Sequence, residues 1–191
     1  MEKIKAIIQC SIDVKQQVLN SDHFVGLIES VSQMITGRLK AGNKVLFCGN
    51  GGSAADAQHL AAEFSGRFYI DRPALPAEAL HCNTSYLTAV ANDYSYDVIY
   101  SRLLQGIGLA GDVLICLSTS GNSRNIVEAM KTARDKQIIT IGMTGETGGQ
   151  MKELSDHLFN VPSKDTPRIQ EAHMLIGHII CQLVEEYYFN A

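Results

Sequence analysis

Apolar residues fall into two patterns along this chain: some recur at helical intervals and others form short continuous runs. Ile4, Ile7, Ile8, Ile12 and Val18 follow the first pattern, as do Val25, Leu27, Ile28, Val31, Met34, Ile35 and Leu39. This spacing predicts two helices before Gly42, and the segment 1–41 is expected to pack against the body of the protein or a second subunit. Beyond it the patterns alternate. We expect a strand at 44–48, a helix at 53–65, a short strand near 77–81, helices within 84–106 and a strand at 112–117. A helix at 123–136, strands at 138–143 and near 157–161, and a last helix over about 167–188 complete the series. Apolar strands alternating with amphipathic helices predict an α/β doubly wound parallel sheet of five strands with helices on both faces, in a single domain spanning 1–191. Such a sheet binds ligands beyond the carboxyl ends of its strands. The four prolines, at 73, 76, 162 and 167, all bound predicted elements.

Composition narrows the function classes. With 191 residues, 46% hydrophobic content and a mean hydropathy of +0.01, the chain can bury a full core. Sixteen basic residues against 20 acidic ones give a net charge of -4 without long runs of either sign, so there is no electrostatic case for direct binding of nucleic acid or an anionic membrane. Five scattered cysteines lack paired metal or redox spacing and read as reduced thiols. There is no signal-like segment and no apolar run long enough to span a bilayer, so a cytoplasmic location is expected.

The strongest chemistry sits where strands end. Val45-Leu46-Phe47-Cys48 runs into Gly49-Asn50-Gly51-Gly52-Ser53, where glycines allow a tight turn and Ser53 is a favoured cap of a helix whose N-terminus attracts anions. The next predicted helix carries His59 and Glu63, four residues apart on one face, as a metal-binding or substrate-binding pair or as an ordinary solvated contact. A second strand, 112–117, leads into Ser118-Thr119-Ser120-Gly121-Asn122-Ser123. Four hydroxyls, free amides and a helix dipole offer many donors and no fixed positive charge, which suits phosphate; simple capping by Ser120 or Ser123 is the alternative.

The last helix adds Gln170, Glu171, His173 and His178. About 12 Å of helix separates Gln170 from His178, so one metal ion could not use both from a single copy; if both serve one site, different subunits must supply them. About 15 Å separates Ser53 from Glu63, a span that suits an extended sugar phosphate. Asn92 and Asp93 close a further predicted helix.

Taken together, Cys-Gly-Asn-Gly-Gly-Ser at 48–53, Gln-His-Leu-Ala-Ala-Glu at 58–63, Gly-Arg at 66–67, Ala-Asn-Asp at 91–93, Ser-Thr-Ser-Gly-Asn-Ser at 118–123 and Arg-Ile-Gln-Glu-Ala-His at 168–173 resemble the phosphoheptose isomerases of the sugar isomerase (SIS) fold. The resemblance covers nearly the whole chain. It implies a cytoplasmic homotetramer, with active sites at subunit interfaces, that converts sedoheptulose 7-phosphate to D-glycero-D-manno-heptose 7-phosphate on the route to lipopolysaccharide heptose. It also implies one zinc ion per site, held by His59, Glu63, Gln170 and His178. Substrate contacts fall on Asn50, Gly51, Gly52, Glu63, Asn92, Asp93, Ser118, Thr119, Ser120, Ser123 and Gln170. Glu63 and His178 would be catalytic, the first moving a proton between carbons through an enediol and the second exchanging one with oxygen. We expect these two residues to come from separate copies of the chain. The alternative is a relative of the same fold that binds the replication initiator DnaA; Ser-Ala-Ala at 53–55 and Pro-Arg-Ile-Gln at 167–170 look closer to it. That relative lacks counterparts of Glu63 and His178.

Overall fold

Runs of β-branched and large apolar residues make the central strands, because a strand covered on both faces has no position left for a polar side chain. All five residues of β1 (Val45–Gly49) and of β3 (Val113–Leu117) are buried. In the computed structural model, which describes residues 1–190, these strands pair in parallel with β2 (Ala77–Ala79), β4 (Ile139–Thr144) and β5 (His157–Asn160) in the order β2-β1-β3-β4-β5. The strand order reverses between β1 and β3. A crevice opens there beyond the strand ends, where α/β sheets of this kind bind ligands.

Alternate strand residues feed two cores. Val45, Phe47, Ile115, Leu117 and Ile141 pack with α2 (Asp22–Lys40), α3 (Gly52–Ser65) and α7 (Thr166–Phe189), whereas Leu46, Cys48, Leu114 and Cys116 pack with α4 (Thr84–Asp93), α5 (Ile99–Ile107) and α6 (Arg124–Asp135). The five expected strands and the doubly wound class are borne out. Among the described residues, no helix is long and apolar enough to cross a membrane.

The two expected N-terminal helices differ in burial. Phe24, Ile28, Val31, Ile35 and Leu39 of α2 are core residues, while α1 (Glu2–Leu19) buries Val14 and Val18 and leaves Ile4, Ile7, Ile8 and Ile12 exposed.

Two features set the site. At Gly49 a side chain would come within 2.2 Å of the Ser53 carbonyl, so the chain can turn directly from β1 into α3. At Gly177 a Cβ would lie 2.6 Å from Leu60 Cδ1, so the missing side chain lets α7 approach α3 closely. Charge then locks α7 in place. The buried Glu185 carboxylate accepts hydrogen bonds from the backbone N–H groups of Phe68, Tyr69 and Ile70 and from Arg72 Nε at 2.8 Å. Burial alone would raise the Glu185 carboxyl; these donors outweigh it and hold it below its usual value.

Candidate active site

α3 and α7 lie side by side in the same direction, and this brings together side chains that are far apart in sequence. At their first turns, Gln170 Nε2 lies 3.4 Å from Ser53 Oγ. Two turns further on, His178 Nε2 lies 3.0 Å from His59 Nε2, and His59 Nε2 lies 3.2 Å from Glu63 Oε1. One donor atom from each of His59, Glu63 and His178 fits within a sphere where all separations are at most 4.8 Å. His178 is half-buried. Burial, then the neighbouring His59, lowers its pKa, while Glu63 opposes the shift.

Chemistry tests whether these residues suit a cation. Two nitrogens and a carboxylate oxygen are good zinc donors, and tetrahedral zinc with bonds of about 2.1 Å separates its ligand atoms by about 3.4 Å. Separations of 3.0 and 3.2 Å approach that value. Three protein ligands also leave a fourth position open, the pattern of zinc sites that act on a substrate.

The end of β3 lies beside the end of β1, with Leu117 paired to Gly49. Ser118 is buried, its Oγ 3.0 Å from that of Ser123, and Ser120 Oγ accepts the Asn122 N–H at 3.1 Å. The Thr119 carbonyl accepts the Gly145 N–H at 2.9 Å, tying the loop to the end of β4. A cavity of about 330 Å³ adjoins this loop, lined by Thr119, Ser120 and Asn122 on one side and by Gly145, Ser163 and Thr166 on the other. Neither α3 nor α6 has a side-chain cap from its N-cap residue, so the N–H groups of Gly52 and Ser53 and of Arg124 and Asn125 remain available to a ligand.

Comparison with known proteins identifies the class. Residues 16–145 match the SIS domain family. Phosphoheptose isomerase of Aneurinibacillus thermoaerophilus is 54% identical over 187 residues, covering 98% of this chain and 94% of the relative. The structure of phosphoheptose isomerase GmhA from Neisseria gonorrhoeae superposes with a TM-score of 0.90 at 40% identity, covering 97% and 98% of the two chains. That of a phosphoheptose isomerase from Francisella tularensis gives 0.92 at 34% identity, with 97% of each chain covered.

The chain belongs to the phosphoheptose isomerase family.

Within that family this isomerase corrects two expectations. Ser53 is not the helix cap: Gly51, at φ 55°, takes the cap position and Ser53 is buried inside the first turn of α3. Glu63 and His178 do not need separate copies of the chain, because α3 and α7 of a single copy already bring them together. As the separation along α7 requires, Gln170 stands beside Ser53 and Gly52 rather than beside His59. Asn92 and Asp93 are exposed at the end of α4, where Asn92 Nδ2 donates to Asp93 Oδ1 at 2.9 Å.

Three further residues stand at the site: Asn125 and Asp56, which carried no expectation, and Tyr96, whose sequence context assigns it to packing and subunit contact. Asn125, 2% exposed in the first turn of α6, bonds Asn50 across the crevice, and Tyr96 donates its hydroxyl to Asn50 Oδ1 at 3.0 Å. Asp56, one turn before His59, has a buried Oδ2 without a partner, and burial raises its pKa against the pull of His59. The available signal for Asn125 was a polar residue placed directly before the apolar run of α6.

Proposed function

We propose that the enzyme interconverts sedoheptulose 7-phosphate and D-glycero-D-manno-heptose 7-phosphate by enediol proton transfer, as the first step toward the heptose of lipopolysaccharide. The observation that carries this reading is the meeting of His59, Glu63 and His178 two helical turns from Gln170 and the first turn of α3, with the hydroxyl-rich loop 118–123 across the strand ends. A seven-carbon sugar would be held by its phosphate at one end and by the histidine and carboxylate cluster at the other.

Ser118, Thr119, Ser120 and Ser123 bind the phosphate through hydroxyls and amides, with the α6 N-terminus favouring its negative charge. Gly51, Gly52 and Ser53 offer the amides of the α3 first turn, while Asn50, Gln170, Asn92 and Asp93 contact sugar hydroxyls. Glu63 takes the proton from one carbon and returns it to its neighbour; its Oε1 faces His59, leaving the second oxygen for this work. His178 exchanges the matching proton with the sugar oxygen, a role suited to an imidazole kept neutral near pH 7. His59, Glu63 and His178 would hold one zinc ion, which supplies positive charge beside the oxygens of the reacting carbons. Gln170, implied as a further ligand, would reach that ion only from a neighbouring copy.

A homotetramer in the cytoplasm completes the reading. Exposed Ile4, Ile7, Ile8 and Ile12 on α1 support it, since a continuous apolar face on a chain of this size is normally covered. The meeting of Glu63 and His178 favours the isomerase over the DnaA-binding alternative, which has no use for either. Purified protein incubated with sedoheptulose 7-phosphate and zinc should form heptose 7-phosphate. Absence of product, with measurable DnaA binding, would reverse the choice.

A further inference from the structure

Asn50 and Asn125 form a closed reciprocal pair across the crevice. Asn50 Nδ2 donates to Asn125 Oδ1 at 2.8 Å, and Asn125 Nδ2 donates to Asn50 Oδ1 at 2.8 Å. The orientation of both amides follows from one backbone group. The Ile126 N–H can only donate, and it lies 3.0 Å from Asn125 Oδ1, so oxygen must occupy that position. Asn125 therefore turns its nitrogen toward Asn50, and Asn50 must answer with its oxygen. The Tyr96 hydroxyl donates to that same oxygen at 3.0 Å. Both acceptor sites of Asn50 Oδ1 are then occupied, one hydrogen of Nδ2 is used, and a single N–H remains.

We propose that Asn125 is a positioning residue of the isomerase site: with Tyr96, it locks the Asn50 amide so that Asn50 offers the sugar one N–H donor and no acceptor. Asn50 thus reads a hydroxyl or carbonyl oxygen of the substrate through its lone pair. The pair also fixes the distance between two binding elements, because Asn50 follows β1 at the sugar end and Asn125 follows the phosphate loop in α6. This inference rests on the sugar-phosphate isomerase reading for the assignment of Asn50.

The Asn125→Asp variant keeps the acceptor for Ile126 and replaces the donor with a second oxygen facing Asn50 Oδ1, which forces Asn50 out of its locked orientation. Tyr96→Phe removes only the outer donor, at an exposed position where folding should be unaffected. Both are assayed for turnover of sedoheptulose 7-phosphate, for competitive inhibition by inorganic phosphate and for thermal unfolding. We expect kcat/KM to fall at least 30-fold in Asn125→Asp and about 3- to 10-fold in Tyr96→Phe. The inhibition constant of inorganic phosphate should stay within threefold of wild type in both. Unchanged kcat/KM in Asn125→Asp would overturn the proposal. So would a loss of phosphate affinity in step with kcat/KM, which would make Asn125 a support of the phosphate loop only. If Asn125→Asp fails to fold, Tyr96→Phe decides, and wild-type kcat/KM in that variant overturns the lock. Lack of turnover by the wild type would instead overturn the isomerase reading, and the role of Asn50 with it.

Discussion

The imidazoles of His59 and His178 face one another across 3.0 Å between their Nε2 atoms, although 119 residues separate them in sequence. Two ring nitrogens at this distance repel if both are bare and clash if both carry hydrogen. A tautomer pair, with one ring donating to the other, or a shared cation resolves the conflict, and the adjacent Glu63 oxygen favours the cation.

Metal removal should therefore abolish turnover. Dialysis against a strong chelator is expected to lower kcat at least 100-fold, and stoichiometric zinc to restore it, with elemental analysis giving one ion per chain. His59→Ala should lose the ion while keeping the fold, because His59 is exposed and outside the core.

Glu63→Gln preserves shape and removes the proposed base. We expect kcat to fall 10²- to 10⁴-fold with a melting temperature close to wild type. His178→Gln should give a similar loss. A large loss of stability without a specific loss of kcat would place these residues among structural contacts.

In the proposed reading Ser120 serves the phosphate and takes no part in proton transfer. Ser120→Ala removes one hydroxyl donor from the loop and should raise KM about 3- to 10-fold with little change in kcat. Steady-state kinetics with the 7-phosphate sugar separates the two constants.

The buried Arg72 and Glu185 pair makes a prediction for acid stability. Because the folded carboxyl lies below its unfolded value of about 4.3, its contribution is present in full above that value and is lost as pH falls through the lower, folded value. Glu185→Gln leaves Arg72 buried without its charge partner and should cost about 3 kcal/mol at pH 7. Unfolding curves of wild type and variant should converge only once pH has fallen below the folded value.

How much of this was legible in the sequence differs between fold and site. The sheet was readable because its central strands are buried on both faces and so consist of unbroken apolar runs such as Val113-Leu114-Ile115-Cys116-Leu117. The His59 and Glu63 pair was readable because both lie on one helix. Their contact with His178 was not, since the closeness of α3 and α7 depends on Gly177 making room for Leu60, a fact of packing rather than periodicity. The expected sharing of Glu63 and His178 between copies came from requiring Gln170 and His178 to meet one ion. Parallel helices resolve that conflict by facing Gln170 toward Ser53 and His178 toward His59. Ser53 misled for a local reason: Gly51 adopts a positive φ that serine resists, and the cap moves back two residues.

A hybrid oligomer shows whether Glu63 and His178 of one chain make a working site. Chains carrying Glu63→Gln and chains carrying His178→Gln, with different tags, are co-expressed, purified through both tags and assayed for isomerisation of sedoheptulose 7-phosphate. If Glu63 and His178 of the same chain act together, every site in the hybrid carries one lesion and activity stays at the level of the single variants. Recovery of a substantial fraction of wild-type turnover would show that sites draw the two residues from different chains, and would contradict the account.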